Sequence, residues 1–326
     1  MQEHSQKILI IGGGSIGQRH LRNLLALGFK DIFVADINKK KLDEIEKQYK
    51  IKIFIDYRNA LKENWDAVFI CTPPVFNIKI ASEILSAEKN KCAIFIEKPL
   101  SNNLAGVPSL IKKAQKYRVP IMIGYNLRFH PLIIKTKDIL DKKLLGKIYC
   151  VRSEMGQYLP DWHPWEDYRR GYSANKKLGG GIVLDDIHDI DYLCWFFGDV
   201  NKVSGLVEKV SNLEINTEDY ADIMFYFKNG VIGQMHMDYL QRAPSRSFKV
   251  IAEKGTLICD IVNRELKYFL AKDKKWHSYK LKNFDYNQTY VEEVKYFMDC
   301  AANNKIPESD IVNGYKTLKI ALYAKE

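Results

Sequence analysis

The sequence predicts two domains: a doubly wound α/β domain with a parallel sheet over residues 1–124, and an α+β domain with an open, mainly antiparallel sheet over 125–326. Three observations predict it. Across the first 124 residues, continuously apolar strands alternate with amphipathic helices, the pattern of a parallel sheet covered on both faces. From Ile148 onward the chain becomes a succession of short strand-like stretches with hairpin signals between them. The opening strand, Lys7 to Ile11, runs straight into Gly12-x-Gly14-x-x-Gly17 and then a helical pattern, a strand–turn–helix unit.

Within that unit, Leu21, Leu24, Leu25 and Leu27 give the helix one apolar side. Gly12 permits the tight turn, Gly14 lets the backbone approach a pyrophosphate, and Gly17 lets helix pack closely on strand. The unpaired N–H groups of Ser15, Ile16 and Gly17 stand at the positive end of the helix dipole and suit the phosphates of a dinucleotide. A second strand at 32–35 ends at Asp36, whose carboxylate can accept a hydrogen bond from a ribose 2′-hydroxyl and would repel a 2′-phosphate. NAD is therefore expected over NADP, with Arg19, Lys39 and Lys40 near enough in sequence to leave NADP open.

A helix bearing Leu42, Ile45 and Tyr49, a strand at 51–55, a short helix at 58–63 and a strand at 67–71 follow. Thr72-Pro73-Pro74 must end that strand, because proline lacks the ladder donor and restricts its predecessor. A helix with Ile78, Ala81, Ile84 and Leu85 leads to a strand at 92–96 and to Glu97-Lys98-Pro99. A helix at 104–117 and a strand at 120–124 complete the set. The glycine turn, Asp36, Thr72, Pro73, Glu97, Lys98 and residues 125–128 all fall at carboxyl ends of strands, the rim where such sheets bind ligands.

In the second domain a helix at 131–141 precedes strands at 148–157, 202–210, 220–227, 231–239, 248–251, 256–260, 266–270 and 276–281. Lys228-Asn229-Gly230 and Glu253-Lys254-Gly255 read as hairpin turns, and short links imply antiparallel pairing. Two helices close the chain, the first with Val291, Val294, Phe297 and Met298 on one face. The second runs to Glu326 without a cap, so the natural chain is expected to extend further.

The net charge of +10 is carried by scattered lysines, with no run of five or six and no recognition motif. It implies a solvated surface with a bias toward anionic small molecules, and no nucleic-acid partner. Six widely spaced cysteines, none at zinc spacing, imply buried thiols in a reducing compartment and no metal. No apolar stretch approaches 18 residues and the first apolar run is broken by glycines, so neither a membrane span nor a signal peptide is expected. A cytoplasmic location follows as the expectation.

Three clusters carry candidate chemistry. Lys98 is either a solvent-facing loop lysine or, at the ligand rim, an ammonium that hydrogen-bonds a substrate hydroxyl and shares its proton as hydride leaves the carbon. Its place on the glycine rim favours the second. Gly179-Gly180-Gly181 opens a helix with Ile182, Leu184, Ile187, Ile190 and Leu193 on its apolar side; Asp185 and His188, three apart, are neighbours on one face. A carboxylate beside an imidazole suits a general base. Metal ligation by Asp185, His188 and Asp191 is the alternative, disfavoured because no further ligand set is evident. Between these lies a proline-broken loop, 158–170, with Trp162, Trp165 and Arg169. Its aromatic faces and arginines suit stacking on a sugar and gripping an anion, or equally an oligomer interface.

The glycine turn, Glu97-Lys98-Pro99, Tyr125-Asn126-Leu127-Arg128-Phe129-His130-Pro131 and the triple glycine leading to Asp185 and His188 together resemble the glucose–fructose oxidoreductase / inositol dehydrogenase / rhizopine catabolism (Gfo/Idh/MocA) family along nearly the whole chain. The resemblance implies an N-terminal Rossmann domain and a C-terminal α+β domain whose open sheet forms homodimers or homotetramers. It implies hydride transfer between NAD(P) and a carbinol of a sugar, nucleotide sugar or polyol, with a sugar or nucleotide sugar favoured over inositol. Lys98 then resembles the catalytic lysine, His188 the acid–base histidine and Asp185 its partner; Asn126 and Arg128 are expected near nicotinamide and substrate. The family also holds a non-catalytic sugar-sensing repressor and suggests redox-neutral use of tightly bound NAD; the presence of both Lys98 and His188 favours an enzyme over a sensor. Two departures stand out. Asp185 and His188 are one residue closer than the family's usual spacing and lack its intervening glycine, and Asn77 stands where a histidine commonly follows Thr-Pro-Pro.

Overall fold

A computed structural model describes residues 5–87, 92–162, 164 and 166–326. The chain forms two units, residues 1–126 with 287–316, and residues 127–286 with 317–326.

The first unit is built on six parallel strands: β1 (Ile8–Ile11), β2 (Ile32–Ala35), β3 (Lys52–Phe54), β4 (Ala67–Ile70), β5 (Ala93–Glu97) and β6 (Ile121–Gly124). They lie in the order β3-β2-β1-β4-β5-β6, the doubly wound arrangement with its switch point beside β1. Strands β1, β2, β4, β5 and β6 are buried along their whole length, which is why they read as unbroken apolar runs. Ile11 pairs with Ala35 and Ile70, Ile70 with Ile96, and Ile96 with Ile123, so the carboxyl ends of five strands form one rim.

An expected boundary at 124/125 assigns the closing helices to the second domain; residues 287–316 instead pack in the first unit. The helix Asn287–Ala302 presents the apolar face read from the sequence, and its Phe297 sits edge-on against Phe69 of β4 and Phe95 of β5, with ring centroids 5.1 and 5.4 Å away. Downstream, Ile123 donates its N–H to the Ser309 carbonyl, and Met122 bridges to Asp310, so the chain returns to cover the β6 edge.

The second unit carries eight strands: β7 (Ile148–Gly156), β8 (Val200–Glu208), β9 (Tyr220–Phe227), β10 (Ile232–Asp238), β11 (Ser245–Ala252), β12 (Gly255–Asp260), β13 (Glu265–Leu270) and β14 (Lys275–Lys280). Their order is β14-β13-β12-β11-β7-β10-β9-β8, antiparallel throughout except for the parallel pair β7–β10. Both expected hairpins form, and Gly230 turns the β9–β10 link at φ +88°. One face is covered by the helix His188–Phe197, whose Tyr192 and Phe196 pack on Phe248 while Phe197 meets Phe227. The opposite face is open, and strand register places Trp276, Phe269, Thr256, Ile251, Cys150, Ile232, Tyr226 and Lys202 in one row across all eight strands. Among the described residues no helix is long and apolar enough to cross a membrane.

Candidate active site

The glycine turn has the stereochemistry the spacing predicts. Gly12 lies at φ +105°, and a Cβ there would stand 2.5 Å from the Cys71 carbonyl oxygen. A Cβ on Gly17 would fall 1.9 Å from the Gly12 oxygen, so strand and helix can approach only without one. At Gly14 nothing lies within 4 Å, leaving the backbone open to a ligand. The helix Ser15–Ala26 begins there with no side-chain cap and with Gln18 making its first bond back to Gly14. The N–H groups of Ser15, Ile16 and Gly17 therefore remain as an anion cradle. Asp36 is tied into the same turn: Gly13 N donates to Oδ2 at 2.7 Å and Asn38 N to Oδ1 at 2.8 Å. A carboxylate offers about four lone-pair sites, so two amide donors leave capacity for a ribose hydroxyl.

Thr72 and Pro73 follow β4, with Pro73 capping and Pro74 opening the helix Pro74–Ser86. Lys98 is half-buried in the turn after β5, across a cis Lys98–Pro99 peptide. Glu97 ends β5 with its buried carboxylate against Nε2 of His20 at 2.5 Å, and the His20 ring is walled by Phe69, Phe95 and Tyr290. Asn126, also buried, donates from Nδ2 to the Thr289 hydroxyl at 2.8 Å.

In the second unit, the continuous helix expected after the triple glycine is broken. Gly181 turns at φ +107°, Ile182–Asp185 form a single helical turn, Asp186 leaves helical geometry at φ −106° and ψ 35°, and a new helix begins at His188. Asp185 and His188 therefore sit on either side of a break, and the i, i+3 argument does not describe their relation. Asp185 instead gathers hydroxyls: Tyr172 donates to Oδ1, while Ser173 at 2.5 Å and Tyr239 at 3.0 Å donate to Oδ2.

The break is clamped by Arg246 from β11, which binds Asp186 on one side and reaches Asp189 on the other, Nε to Oδ2 at 3.4 Å. Burial first, opposed by Arg246 and reinforced by Asp186, lifts the Asp189 carboxyl to about 7; Tyr192 and Ser153 also donate to it. Two residues on, Asp191 takes Arg128 in a buried two-point pair, Nε–Oδ2 and Nη2–Oδ1 both 2.7 Å. His188 thus emerges, mostly buried, from a segment whose four carboxylates are each engaged by neighbours. Two of the three residues considered for a metal are accordingly bound to organic partners, and among the described residues no three His, Cys, Asp or Glu side chains converge as a ligand set.

The candidate substrate residues divide. Arg128 spends two nitrogens on Asp191 and lies over Trp195. Arg169 is half-exposed and pairs with Asp167 at 2.7 Å and Glu214 at 3.3 Å. Trp162 donates Nε1 to the Gln157 carbonyl at 3.1 Å and meets Tyr239 edge-on. Trp165 lies outside the described residues. Sequence reasoning missed Tyr172, Ser173, Tyr239 and Arg246, because each reaches its acid from a distant stretch and carries no local signal.

Residues 6–125 match the family model described as oxidoreductase family, NAD-binding Rossmann fold, and residues 133–258 match the Gfo/Idh/MocA C-terminal domain. The chain is 27% identical over 334 residues to myo-inositol 2-dehydrogenase of Thermotoga maritima, spanning 98% of this chain and 95% of that protein. It is 25% identical to scyllo-inositol 2-dehydrogenase (NAD(+)) of Bacillus subtilis, over 99% and 94% of the two chains. Among solved structures it resembles levoglucosan dehydrogenase in complex with NADH, with a TM-score of 0.88, 18% identity, and coverage of 98% and 96%.

Proposed function

Because the chain belongs to the Gfo/Idh/MocA family of NAD-binding oxidoreductases, we propose that it is a dehydrogenase acting on a CH–OH carbon of a polyhydroxylated ring: a sugar, nucleotide sugar or polyol. The observation that carries the reading is Lys98 at the end of β5, on the same rim as the open glycine turn. The residues present fit NAD: Gly14 leaves room, the first-turn amides of Ser15, Ile16 and Gly17 face an anion, and Asp36 offers a fixed carboxylate to a ribose hydroxyl. When bound, nicotinamide supplies the hydride acceptor or donor. Lys98 hydrogen-bonds the reacting hydroxyl and moves its proton, with His188 as the second acid–base group. Asp185, fastened by Tyr172, Ser173 and Tyr239, holds the segment that leads into His188. Trp162 and Arg169 belong to the loop that shapes the ring's pocket, and the names of the relatives, inositol and levoglucosan dehydrogenases, support such a ring. Self-association through the open face of the eight-stranded sheet completes the reading.

The test is NADH formation with NAD⁺ or NADP⁺ against myo-inositol, scyllo-inositol, levoglucosan, free hexoses and nucleotide sugars. Lys98→Ala should lower kcat by about 10²- to 10⁴-fold, the range of a positioned acid–base group, while NAD⁺ binding by fluorescence stays within about threefold. Near-normal turnover in that variant removes Lys98 from the chemistry. Silence of the native protein across the whole panel, with NAD surviving purification, would point to redox-neutral use of the cofactor.

A further inference from the structure

We propose that Asn77 is a positioning residue for Lys98, holding both ends of the turn that carries the lysine. The proposal rests on the role assigned to Lys98 above. Asn77 is fully buried near the start of the helix Pro74–Ser86. Its Nδ2 donates to the carbonyl of Glu97 at 3.3 Å and to that of Pro99 at 3.1 Å, the peptide oxygens on either side of Lys98. Its Oδ1 accepts from the Thr72 hydroxyl at 2.9 Å.

The orientation of the amide is set by its partners. A hydroxyl can donate or accept, but two carbonyls can only accept, so the NH₂ group must face the lysine turn and the oxygen must face Thr72. One side chain thereby ties the end of β4 to both flanks of the turn after β5. Two buried carbonyls directed at one point need two donors, and a primary amide places both on one atom. Removing it takes both donors from those oxygens and loosens the backbone segment from which Lys98 projects. An error of about 1 Å in the placement of a reacting group can lower a rate by roughly 10²-fold, so the effect on catalysis would exceed the loss of a single hydrogen bond.

The experiment reads the lysine itself, so it does not wait on the substrate. Native protein and Asn77→Ala are labelled with limiting acetic anhydride, and acetylation of Lys98 is measured by peptide mass spectrometry against exposed Lys112 as an internal reference. We expect Lys98 to be acetylated about fivefold faster in Asn77→Ala, the shift that one lost hydrogen bond allows. Asn77→His, which returns a ring N–H donor, should recover much of the protection. NAD⁺ binding within about threefold of native reports that the fold is intact; if the alanine variant fails that check, Asn77→Leu, close to asparagine in volume and without a donor, takes its place with the same two outcomes. Unchanged Lys98 labelling in a variant that binds NAD⁺ normally overturns the proposal. With any substrate found in the panel, Asn77→Ala should lower kcat by about tenfold or more with KM for NAD⁺ unchanged. Failure of the whole panel would count against the dehydrogenase reading, whereas the labelling ratio would still decide the role of Asn77.

Discussion

At Asp36, two backbone amides hold the carboxylate against the glycine turn, so its charge cannot swing away to admit a 2′-phosphate. Asp36→Ala should narrow the preference for NAD⁺ over NADP⁺ by about 10-fold or more, the scale of one charge-assisted hydrogen bond, read from the ratio of the two binding constants. An unchanged ratio would discount that carboxylate. Its position beside the glycine turn was legible because it follows from strand end and spacing alone. The glycines were legible for a harder reason: at Gly12 and Gly17 a side chain would collide with backbone, and sterics leave a mark on sequence. The place of Asp185 after the triple glycine was legible, but its company was not. Its three hydroxyl donors come from positions 172, 173 and 239, and nothing in a one-dimensional pattern joins a loop serine to the end of a distant strand. At Glu97 the rim position was legible, while the bond of its side chain to His20 was not, because the partner lies 77 residues away.

Among the elements, strands were easier to read than the segment around His188. In the second sheet β9, β10 and β12 alternate buried and more exposed residues, and the β9–β10 and β11–β12 turns carry Gly230 and Gly255 at the expected places. The broken helix was hidden because Ile182, Ile187 and Ile190 are apolar on either side of the break, and the residue that clamps it, Arg246, comes from β11. Another ionic cluster lies on the open face of that sheet. His236 of β10 is held between Asp238, Nε2–Oδ2 2.9 Å, and Asp222 of β9, Nδ1–Oδ1 2.9 Å. The Asp238 hydrogen bond, opposed by desolvation and helped by Asp222, raises the imidazole to about 9. A histidine whose folded pKa exceeds its unfolded value of about 6.5 stabilises the fold fully below that value and ceases to do so as pH rises through about 9. Melting temperature should therefore fall between about pH 7 and pH 9.5, and His236→Asn should flatten that part of the profile. A variant curve parallel to the native one would show that another group is responsible.

For the whole molecule, the fold class was legible in the change from alternating helices and strands to hairpins, and the family models match segments on both sides of that change. The placement of residues 287–316 was not, because the amphipathic face of a helix states that it must be covered without stating by which sheet. The same limit applies to the open face of the second sheet, where Trp276, Ile232 and Tyr226 are exposed in one row. A second copy of this chain is the proposed cover, and a stable interface of about 800 Å² per partner would need most of that row. Ile232→Lys should then convert the oligomer to monomer, as light scattering after size exclusion would report; a native protein that is already monomeric would remove this element of the reading.

The lone parallel pairing in the eight-stranded sheet sets the order in which that sheet can come into being. Strand β7 leaves the ribosome before any of its seven companions, yet both of its neighbours, β10 and β11, are among those translated later, while β8 and β9 can close on each other in the interval. Throughout that interval β7 carries two unfilled rows of peptide donors and acceptors, a nascent-chain condition that favours capture by a wrong strand or by a chaperone. The middle of the finished sheet thus waits on strands translated well after β7, and synthesis halted before Ser245 yields a chain whose earliest strand has no one to pair with on that side.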